Sequence, residues 1–145
     1  MPRNVLVTGR PGSGKTTLVL GVVERLAAAG FKAGGFVTEE IREGASRAGF
    51  RVRDLAGDEA VLAHVMYRGV PRVGKYGVDT EAFERIALKA LRVAGGEKDL
   101  LVIDEIGKME LLSDRFRELL PDLLDSPTPL LATVHHSGDA FTRSL

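Results

Sequence analysis

The sequence predicts an α/β fold with a mostly parallel β-sheet and an added β-hairpin. Short apolar runs alternate with helical apolar patterns along the chain, as expected of strand–helix–strand units. The chain has 145 residues, of which 44% are hydrophobic and 28% are charged, and these values are typical of one globular domain with a real core. We therefore expect residues 1–145 to form a single domain.

Composition excludes several partners and chemistries. Lys and Arg number 20, as do Asp and Glu, so the net charge is zero and no overall field attracts nucleic acid or an anionic membrane. The absence of Cys excludes disulfides, thiolate zinc sites and thiol nucleophiles. No run reaches the roughly 18 apolar residues of a membrane span, and no signal peptide is visible, so we expect a soluble, cytoplasmic protein. The 14 Arg, 6 Lys, one Asn and no Gln fit either a heat-adapted source or a GC-rich genome.

The first half of the chain predicts one strand, one helix and a hairpin. Residues 4–8 form a short apolar run typical of a buried strand, and residues 15–29 have the apolar spacing of a helix that ends at Gly30. Residues 33–41 and 49–55 flank a polar turn and have the separation of a β-hairpin.

The second half begins with a segment that is harder to assign. Residues 66–78 contain several Gly and one Pro, so we expect a loop with at most a short strand. Residues 79–94 have the clearest helical periodicity, and residues 100–103 form a fully apolar strand. A further helical stripe covers residues 113–124, and Pro121 is expected to kink or shorten that helix.

The strongest functional signal follows the first predicted strand and opens the first predicted helix. It matches G-x-x-x-x-G-K-[ST] in full and consists of Gly9, Arg10, Pro11, Gly12, Ser13, Gly14, Lys15 and Thr16. The glycines let successive backbone N–H groups point at phosphate oxygens, and the positive end of the helix adds to this attraction. Lys15 is expected to reach the β- and γ-phosphates, and the Thr16 hydroxyl is expected to ligate Mg²⁺.

A second signal is the pair of carboxylates that ends a buried strand. Asp104 and Glu105 follow residues 100–103 directly, and parallel strands end at the same edge of a sheet, where ligands bind. Asp104 then has the place of a Walker B aspartate near Mg²⁺. Glu105, which points the other way, can accept a proton from an attacking water. Residues 104–107 also fit the D-x-x-G of small GTPases, but the sequence has no N-K-x-D motif that reads guanine, so we expect low base specificity.

Further polar candidates lie at the end of the last predicted strand, residues 129–134. Thr133 and His135 share one face of that strand, and either can sense the γ-phosphate or position the water. At most one of His135 and His136 can face the site, which excludes a dinuclear metal centre built on both. His64 lies in an apolar stretch and is expected to pack in the core.

Several basic side chains are candidates for an arginine or lysine finger, which stabilises the negative charge of the transition state of phosphoryl transfer. Four arginines cluster on the predicted hairpin, and these are Arg42, Arg47, Arg51 and Arg53. They fit a solvated hairpin face, a nucleic-acid stripe or an arginine finger, and few aromatic residues accompany them. Lys108 and Lys75 are two further candidates.

Several segments together resemble one family. They are residues 9–17, 35–42, 73–78, 104–111 and 132–135, and the run Asp-Glu-Ile-Gly-Lys-Met-Glu is the most specific part. Over almost its whole length the chain resembles the P-loop nucleoside triphosphatases of thermophilic archaea and bacteria, which have an animal relative called cancer-related nucleoside triphosphatase. The resemblance implies a three-layer, RecA-like α/β domain that slowly hydrolyses ATP, GTP and other nucleoside triphosphates with Mg²⁺.

The resemblance also implies which residues contact the nucleotide. Besides the phosphate loop these are Thr17, Leu100, Leu101, Val102, Ile103, Asp104, Glu105, Ile106 and Gly107. Arg10 stands where this family often has Pro. Members of the family continue past the position of Leu145 with a further strand, and a sheet without that strand is expected to have an exposed edge.

Three functions fit these signals. The leading hypothesis is a monomeric Mg²⁺-dependent nucleoside triphosphatase without nucleic-acid or membrane partners, in which Lys15 and Thr16 bind phosphate and metal. Asp104 completes the metal site, and Glu105 activates water. A small nucleoside or nucleotide kinase shares the phosphate loop, although the sequence has no Arg-rich lid segment. A nucleotide-dependent switch is the third hypothesis, with slow hydrolysis as a timer.

Overall fold

One mixed β-sheet of eight strands organises the fold in the computed structural model, which describes residues 4–10, 12–94, 97–135 and 140–145. The strands are β1 (Val5–Gly9), β2 (Ala33–Glu43), β3 (Ser46–Asp54), β4 (Glu59–His64), β5 (Arg72–Val73), β6 (Tyr76–Val78), β7 (Leu100–Ile106) and β8 (Leu130–His135). The helices are α1 (Lys15–Ala28), α2 (Thr80–Ala94), α3 (Asp114–Asp125) and α4 (Ala140–Ser144), and a 3₁₀ helix (Glu110–Leu112) precedes α3. In the described part of the chain, no helix is both long enough and apolar enough to cross a bilayer.

The sheet has a parallel half and an antiparallel half. Its order is β1-β8-β7-β2-β3-β4-β6-β5, and the first four of these strands run parallel. From β2 onward the neighbours are antiparallel, so four of the seven strand pairs are antiparallel. The α/β class and the hairpin of β2 and β3 are confirmed, but a mostly parallel sheet is wrong. After β2 the chain turns back repeatedly through short loops, and such turns give antiparallel pairs without a crossover helix.

Apolar side chains pack on both faces of the sheet. The larger cluster lies under α2 and α3, where the rings of Phe36, Phe83 and Phe116 contact each other at centroid distances of 5.3 to 5.9 Å. On the opposite face, α1 packs through Val19 against a smaller cluster that includes Val102. Helices on both faces of the sheet give the three layers that the family resemblance implied.

The helices largely follow the predicted boundaries because their capping residues are in place. Asp79 and Ser113 each accept a hydrogen bond from a backbone N–H of the first turn of α2 and α3, at 3.0 and 3.2 Å. Gly30 follows α1 with a positive φ of 88°. Helix α3 continues to Asp125, so Pro121 does not end it. The two glycines predicted to end α2, residues 95 and 96, lie outside the described residues.

Strand β1 differs from its prediction because it is not buried. It lies at one edge of the sheet, where β8 is its pairing partner among the described strands. Val5 and Leu6 are consequently 53% and 41% exposed. An apolar run predicts burial from composition alone, whereas the position of a strand in the sheet depends on pairing between distant segments.

The segment between β3 and α2 contains more strand than the sequence predicts. Strand β4 has no predicted counterpart, and residues 66–78 contain the two short strands β5 and β6. His64 ends β4 and is half-buried, with its Nε2 atom 3.7 Å from a carboxylate oxygen of Glu43. Strands of two to six residues give too little periodicity to be told from loops. They are stabilised by successive pairing, of β4 with β3, of β6 with β4 and of β5 with β6.

Candidate functional site

The predicted phosphate loop connects β1 to α1 and leaves the start of the helix open. Gly12 and Gly14 have positive φ values of 79° and 93°, a conformation that favours glycine. A Cβ on Gly9 would lie 2.8 Å from Oγ of Ser13, so a side chain there would require the Ser13 hydroxyl to move. No side chain in the described part of the chain caps α1, and its first N–H groups can therefore bind an anion. Pro11 lies outside the described residues.

The ammonium group of Lys15 lies between the loop and β7. Its Nζ atom donates a hydrogen bond of 3.0 Å to the carbonyl oxygen of Gly9. The same atom is 3.6 Å from a carboxylate oxygen of Glu105. The structure therefore brings the lysine of the loop and the predicted catalytic carboxylate into one site.

The buried carboxylate of Asp104 connects three elements at the end of β7. One of its oxygens accepts a hydrogen bond of 2.7 Å from Oγ1 of Thr16 in α1. The other accepts a hydrogen bond of 2.6 Å from Oγ1 of Thr133 in β8. Hydroxyl groups that donate to a carboxylate give strong hydrogen bonds, and here they fix the orientation of both carboxylate oxygens. Thr133, one of the two sensor candidates, therefore acts on Asp104.

His135, the other sensor candidate, ends β8 beside Gly9 of the phosphate loop. Both nitrogens of its imidazole are buried and have no hydrogen-bond partner within the described residues. Buried polar atoms without a partner are rare because they lose their hydrogen bonds to water. His136, which the sequence paired with it, lies outside the described residues.

Asp104 and Glu105 both contact residues of the phosphate loop, although adjacent residues of a regular strand point to opposite faces. The register between β7 and β8 shifts between Ile103 and Ile106, so the strand is irregular at these two residues. The Glu105 side chain is 33% exposed and lies near Lys15. The side-chain alternation of a regular strand therefore does not apply at these two residues, and both carboxylates lie at the phosphate loop.

Glu110 is a third carboxyl group at this site, and sequence reasoning gave it no role. It is only 4% exposed and begins the 3₁₀ helix that follows β7. Burial raises its pKa to about 8, with smaller contributions from the charges of Glu105 and Asp104. Hydrogen bonds from the backbone N–H groups of Glu110 and Gly107 oppose this shift. Its place in the Asp-Glu-Ile-Gly-Lys-Met-Glu run was the one available signal in the sequence.

Apart from Gly107, which is buried directly after β7, the remaining predicted nucleotide-contacting residues fall into two groups. Arg10, Ser13 and Thr17 are exposed near the phosphate loop. The apolar part of β7 is largely buried in the two cores, and it comprises Leu100, Leu101, Val102, Ile103 and Ile106. Packing of these apolar residues in the core fixes the position of β7, and the polar residues at its end form the site.

Three of the four hairpin arginines bind carboxylates of the same hairpin. Arg42 and Arg47 lie 2.9 and 2.7 Å from the carboxylate of Glu40. Arg53 donates to the carboxylate of Glu39 at 2.6 Å. This arrangement fits the solvated hairpin face among the predicted alternatives. Lys75 lies over a tyrosine ring, and Lys108 is exposed beside the site.

The side-chain oxygens of Thr16 and Asp104 are suitable ligands for a magnesium ion that binds together with a nucleotide. Their hydrogen-bonded oxygens are 2.7 Å apart and lie beside the open end of α1. The described residues contain no group of three or more His, Cys, Asp or Glu that could form an all-protein metal cage. Mg²⁺ needs no such cage, since it usually binds one or two protein oxygens and completes its shell with phosphates and water.

Comparison with known proteins identifies the family. A family model described as NTPase matches residues 4–145. The chain belongs to this NTPase family. Among its relatives, the nucleoside-triphosphatase THEP1 of Thermofilum pendens is 51% identical over 142 residues, which cover 97% of this chain and 78% of that protein.

Two solved structures of the family have the same fold. The crystal structure of THEP1 from the hyperthermophile Aquifex aeolicus matches with a TM-score of 0.81 and 39% identity, over 91% of this chain and 76% of that chain. The solution structure of a human cancer-related nucleoside triphosphatase matches with a TM-score of 0.78 and 39% identity, over 95% of this chain and 78% of that chain. The family resemblance stated from the sequence motifs is confirmed.

Proposed function

We propose that this NTPase-family chain hydrolyses nucleoside triphosphates to the diphosphate and inorganic phosphate. The observation that carries the proposal is the contact between the phosphate loop and the end of β7. Thr16 donates to Asp104 at 2.7 Å, and Nζ of Lys15 lies 3.6 Å from Glu105. A phosphate-binding group, a metal-binding pair and a carboxylate base thus share one site.

The phosphate loop and Lys15 bind the substrate in this proposal. The open N–H groups at the start of α1 donate hydrogen bonds to phosphate oxygens, and the positive end of the helix favours the negative charge of the phosphates. The Lys15 ammonium exchanges its contacts with Gly9 and Glu105 for the β- and γ-phosphates. This exchange leaves the Glu105 carboxylate free to bind water.

Thr16 and Asp104 would hold Mg²⁺, and Thr133 keeps Asp104 in place. When bound there, the metal ion would supply positive charge that offsets the negative charge developing on the phosphate oxygens. Thr133 contributes by donating to the Asp104 oxygen that Thr16 does not use, which holds the carboxylate in one orientation.

Glu105 acts as the general base. Its carboxylate accepts a proton from the water whose oxygen attacks the γ-phosphorus, while the bond from that phosphorus to the β–γ bridging oxygen breaks. The diphosphate leaves with that bond's electron pair. Because the Glu105 side chain is 33% exposed, it can then pass the proton to solvent.

The roles proposed for the site residues concern the phosphates and the metal ion, which supports hydrolysis of nucleoside triphosphates with different bases. No N-K-x-D motif is present in the sequence to read guanine. We therefore expect ATP and GTP to be turned over at rates within about one order of magnitude, because the contacts that the proposal assigns to the transition state are common to both.

Phosphate release with Mg²⁺, from ATP and from GTP, tests the proposal in the parent chain and in Glu105→Gln. Loss of a general base is expected to lower the rate about 10²-fold or more. Glu118→Gln is the matched control, because Glu118 is exposed on α3 and has no part in the proposed chemistry. An unchanged rate in Glu105→Gln refutes the assignment of the base.

The same assay distinguishes the two alternatives. An added nucleoside that becomes phosphorylated, with no phosphate released, would indicate a kinase. Turnover that stays negligible until a protein or nucleic acid is added would indicate a switch. Steady phosphate release from the purified chain supports hydrolysis as its own activity.

A further inference from the structure

Glu110 is a buried acid with no part in the proposed chemistry. It is 4% exposed, and a carboxyl group in such surroundings is costly unless its oxygens have partners. It lies where the chain leaves β7, five positions after Glu105, on the 3₁₀ helix Glu110–Leu112. The burial of a second carboxyl group beside Glu105, the proposed general base, needs a structural explanation.

The carboxyl groups of Glu105 and Glu110 approach the same point at Gly107. A Cβ on Gly107 would lie 2.7 Å from Oε1 of Glu110 and 2.9 Å from Oε1 of Glu105. Both side chains therefore pack against the bare α-carbon of Gly107. Since Oε2 of Glu105 faces Lys15 at 3.6 Å, Oε1 is the oxygen that this packing restrains.

Glu110 also closes the turn that carries Glu105 to the site. The backbone N–H groups of Gly107 and of Glu110 itself partly offset the rise in the pKa of this carboxyl group. Backbone bonds of 2.9 Å from Leu111 to Gly107 and of 3.1 Å from Ser113 to Glu110 complete the turn. Gly107, two residues after Glu105, is thus held by a backbone hydrogen bond within the turn and by packing against the Glu110 side chain.

The raised pKa of Glu110 indicates what kind of group stands beside Glu105. Near neutral pH the buried carboxyl group retains its proton for much of the time, so the general base faces a polar neutral neighbour. A neutral amide of the same shape should then replace it well. This provides a conservative variant for the test.

We propose that Glu110 is a positioning residue, which holds the Glu105 carboxylate in place through the closed turn and through shared packing on Gly107. The inference rests on the proposed function, because it assigns Glu105 the role of general base. It predicts that Glu110 affects the rate of hydrolysis and leaves nucleotide binding unchanged. A merely structural residue would affect both through loss of folded protein.

The test compares Glu110→Ala and Glu110→Gln in the full chain, with Glu118→Ala as the control for a surface Glu on α3. Measured for each are the kcat for phosphate release, the Kd for ATP with Mg²⁺ and the thermal midpoint. We expect kcat to fall about tenfold or more in Glu110→Ala while Kd stays within about twofold, in line with the 10- to 100-fold effect of groups that orient a ligand or base. Glu110→Gln should stay within about threefold of the parent, because the amide has the same shape and keeps the packing on Gly107.

Gly107→Ala provides a second route if Glu110→Ala does not fold. The three atoms nearest to its Cβ belong to the side chains of Glu105 and Glu110, so the fold should persist while both carboxyl groups shift. We expect a lower kcat. An unchanged kcat in Glu110→Ala or Gly107→Ala overturns the inference, as does a Glu110→Gln that is as slow as Glu110→Ala. If Glu105→Gln also leaves kcat unchanged, the proposed function itself has failed.

Discussion

Thr133→Val tests whether β8 supports the metal site. The substitution keeps the shape of the side chain and removes the hydroxyl that donates to Asp104 at 2.6 Å. Both residues are buried, so water cannot easily replace the lost donor. A hydrogen bond to a charged group contributes about 1.5–3 kcal/mol, and we expect the free energy of unfolding to fall by that amount. The Asp104 carboxylate keeps its bond to Thr16 but loses its fixed orientation.

The functional effect should appear in the response to Mg²⁺. Groups that orient a metal ligand typically change affinity or activity about 10- to 100-fold, and we expect the Mg²⁺ concentration for half-maximal phosphate release to rise by such a factor. Urea unfolding and a Mg²⁺ titration measure the two effects. Thr128→Val is the matched control, because Thr128 is also buried and lies before β8, outside the site. A Thr133→Val chain with the parent's Mg²⁺ response would refute the role of Thr133.

Predictions for three further variants concern stability. Glu110→Gln should become more stable than the parent as the pH rises from about 5 to 8, by up to about 5 kcal/mol. The unfolded Glu110 ionises near 4.5, whereas the folded group keeps its proton to about 8, so the folded parent binds more protons in this window and loses stability as pH rises. Urea unfolding without nucleotide and Mg²⁺ measures this, and parallel pH curves for the two chains would contradict it. Gly35→Ala should cost about 3 kcal/mol or more, because its φ is 117° and a Cβ would overlap the carbonyl oxygen of Val102. Gly21→Ala on α1, with open space around it, should instead stabilise the chain by about 0.5–1 kcal/mol, and equal effects of the two substitutions would show the packing argument to be wrong.

Local signals in the sequence predict the parts of the fold that local forces determine. The helix α1 opens at Lys15 and is followed by Gly30, and Ser113 caps α3, as capping chemistry requires. The hairpin of β2 and β3 likewise follows from two strand-forming runs and the turn at Gly44, which has a positive φ.

Features that depend on distant segments could not be predicted in the same way. The exposure of Val5 follows from the position of β1 at the sheet edge, which is a matter of strand order. Thr133 and His135 share one face of β8, so side-chain alternation left both as candidates. The position of Asp104 on the neighbouring strand β7 shows that Thr133 is its hydrogen-bond partner on β8. Burial of Glu110 arises from packing around the turn after β7, so nothing in its local sequence indicates a raised pKa.

A single-turnover experiment tests the central claim most directly. ATP and Mg²⁺ are mixed with an excess of the parent chain or of Glu105→Gln, and bound nucleotide and released phosphate are followed separately. If Glu105 is the base of a site assembled by the contacts of Lys15 and Thr16, both chains bind ATP with a similar Kd, and phosphate release slows about 10²-fold or more in Glu105→Gln alone. Equal rates of phosphate release in the two chains would contradict the account.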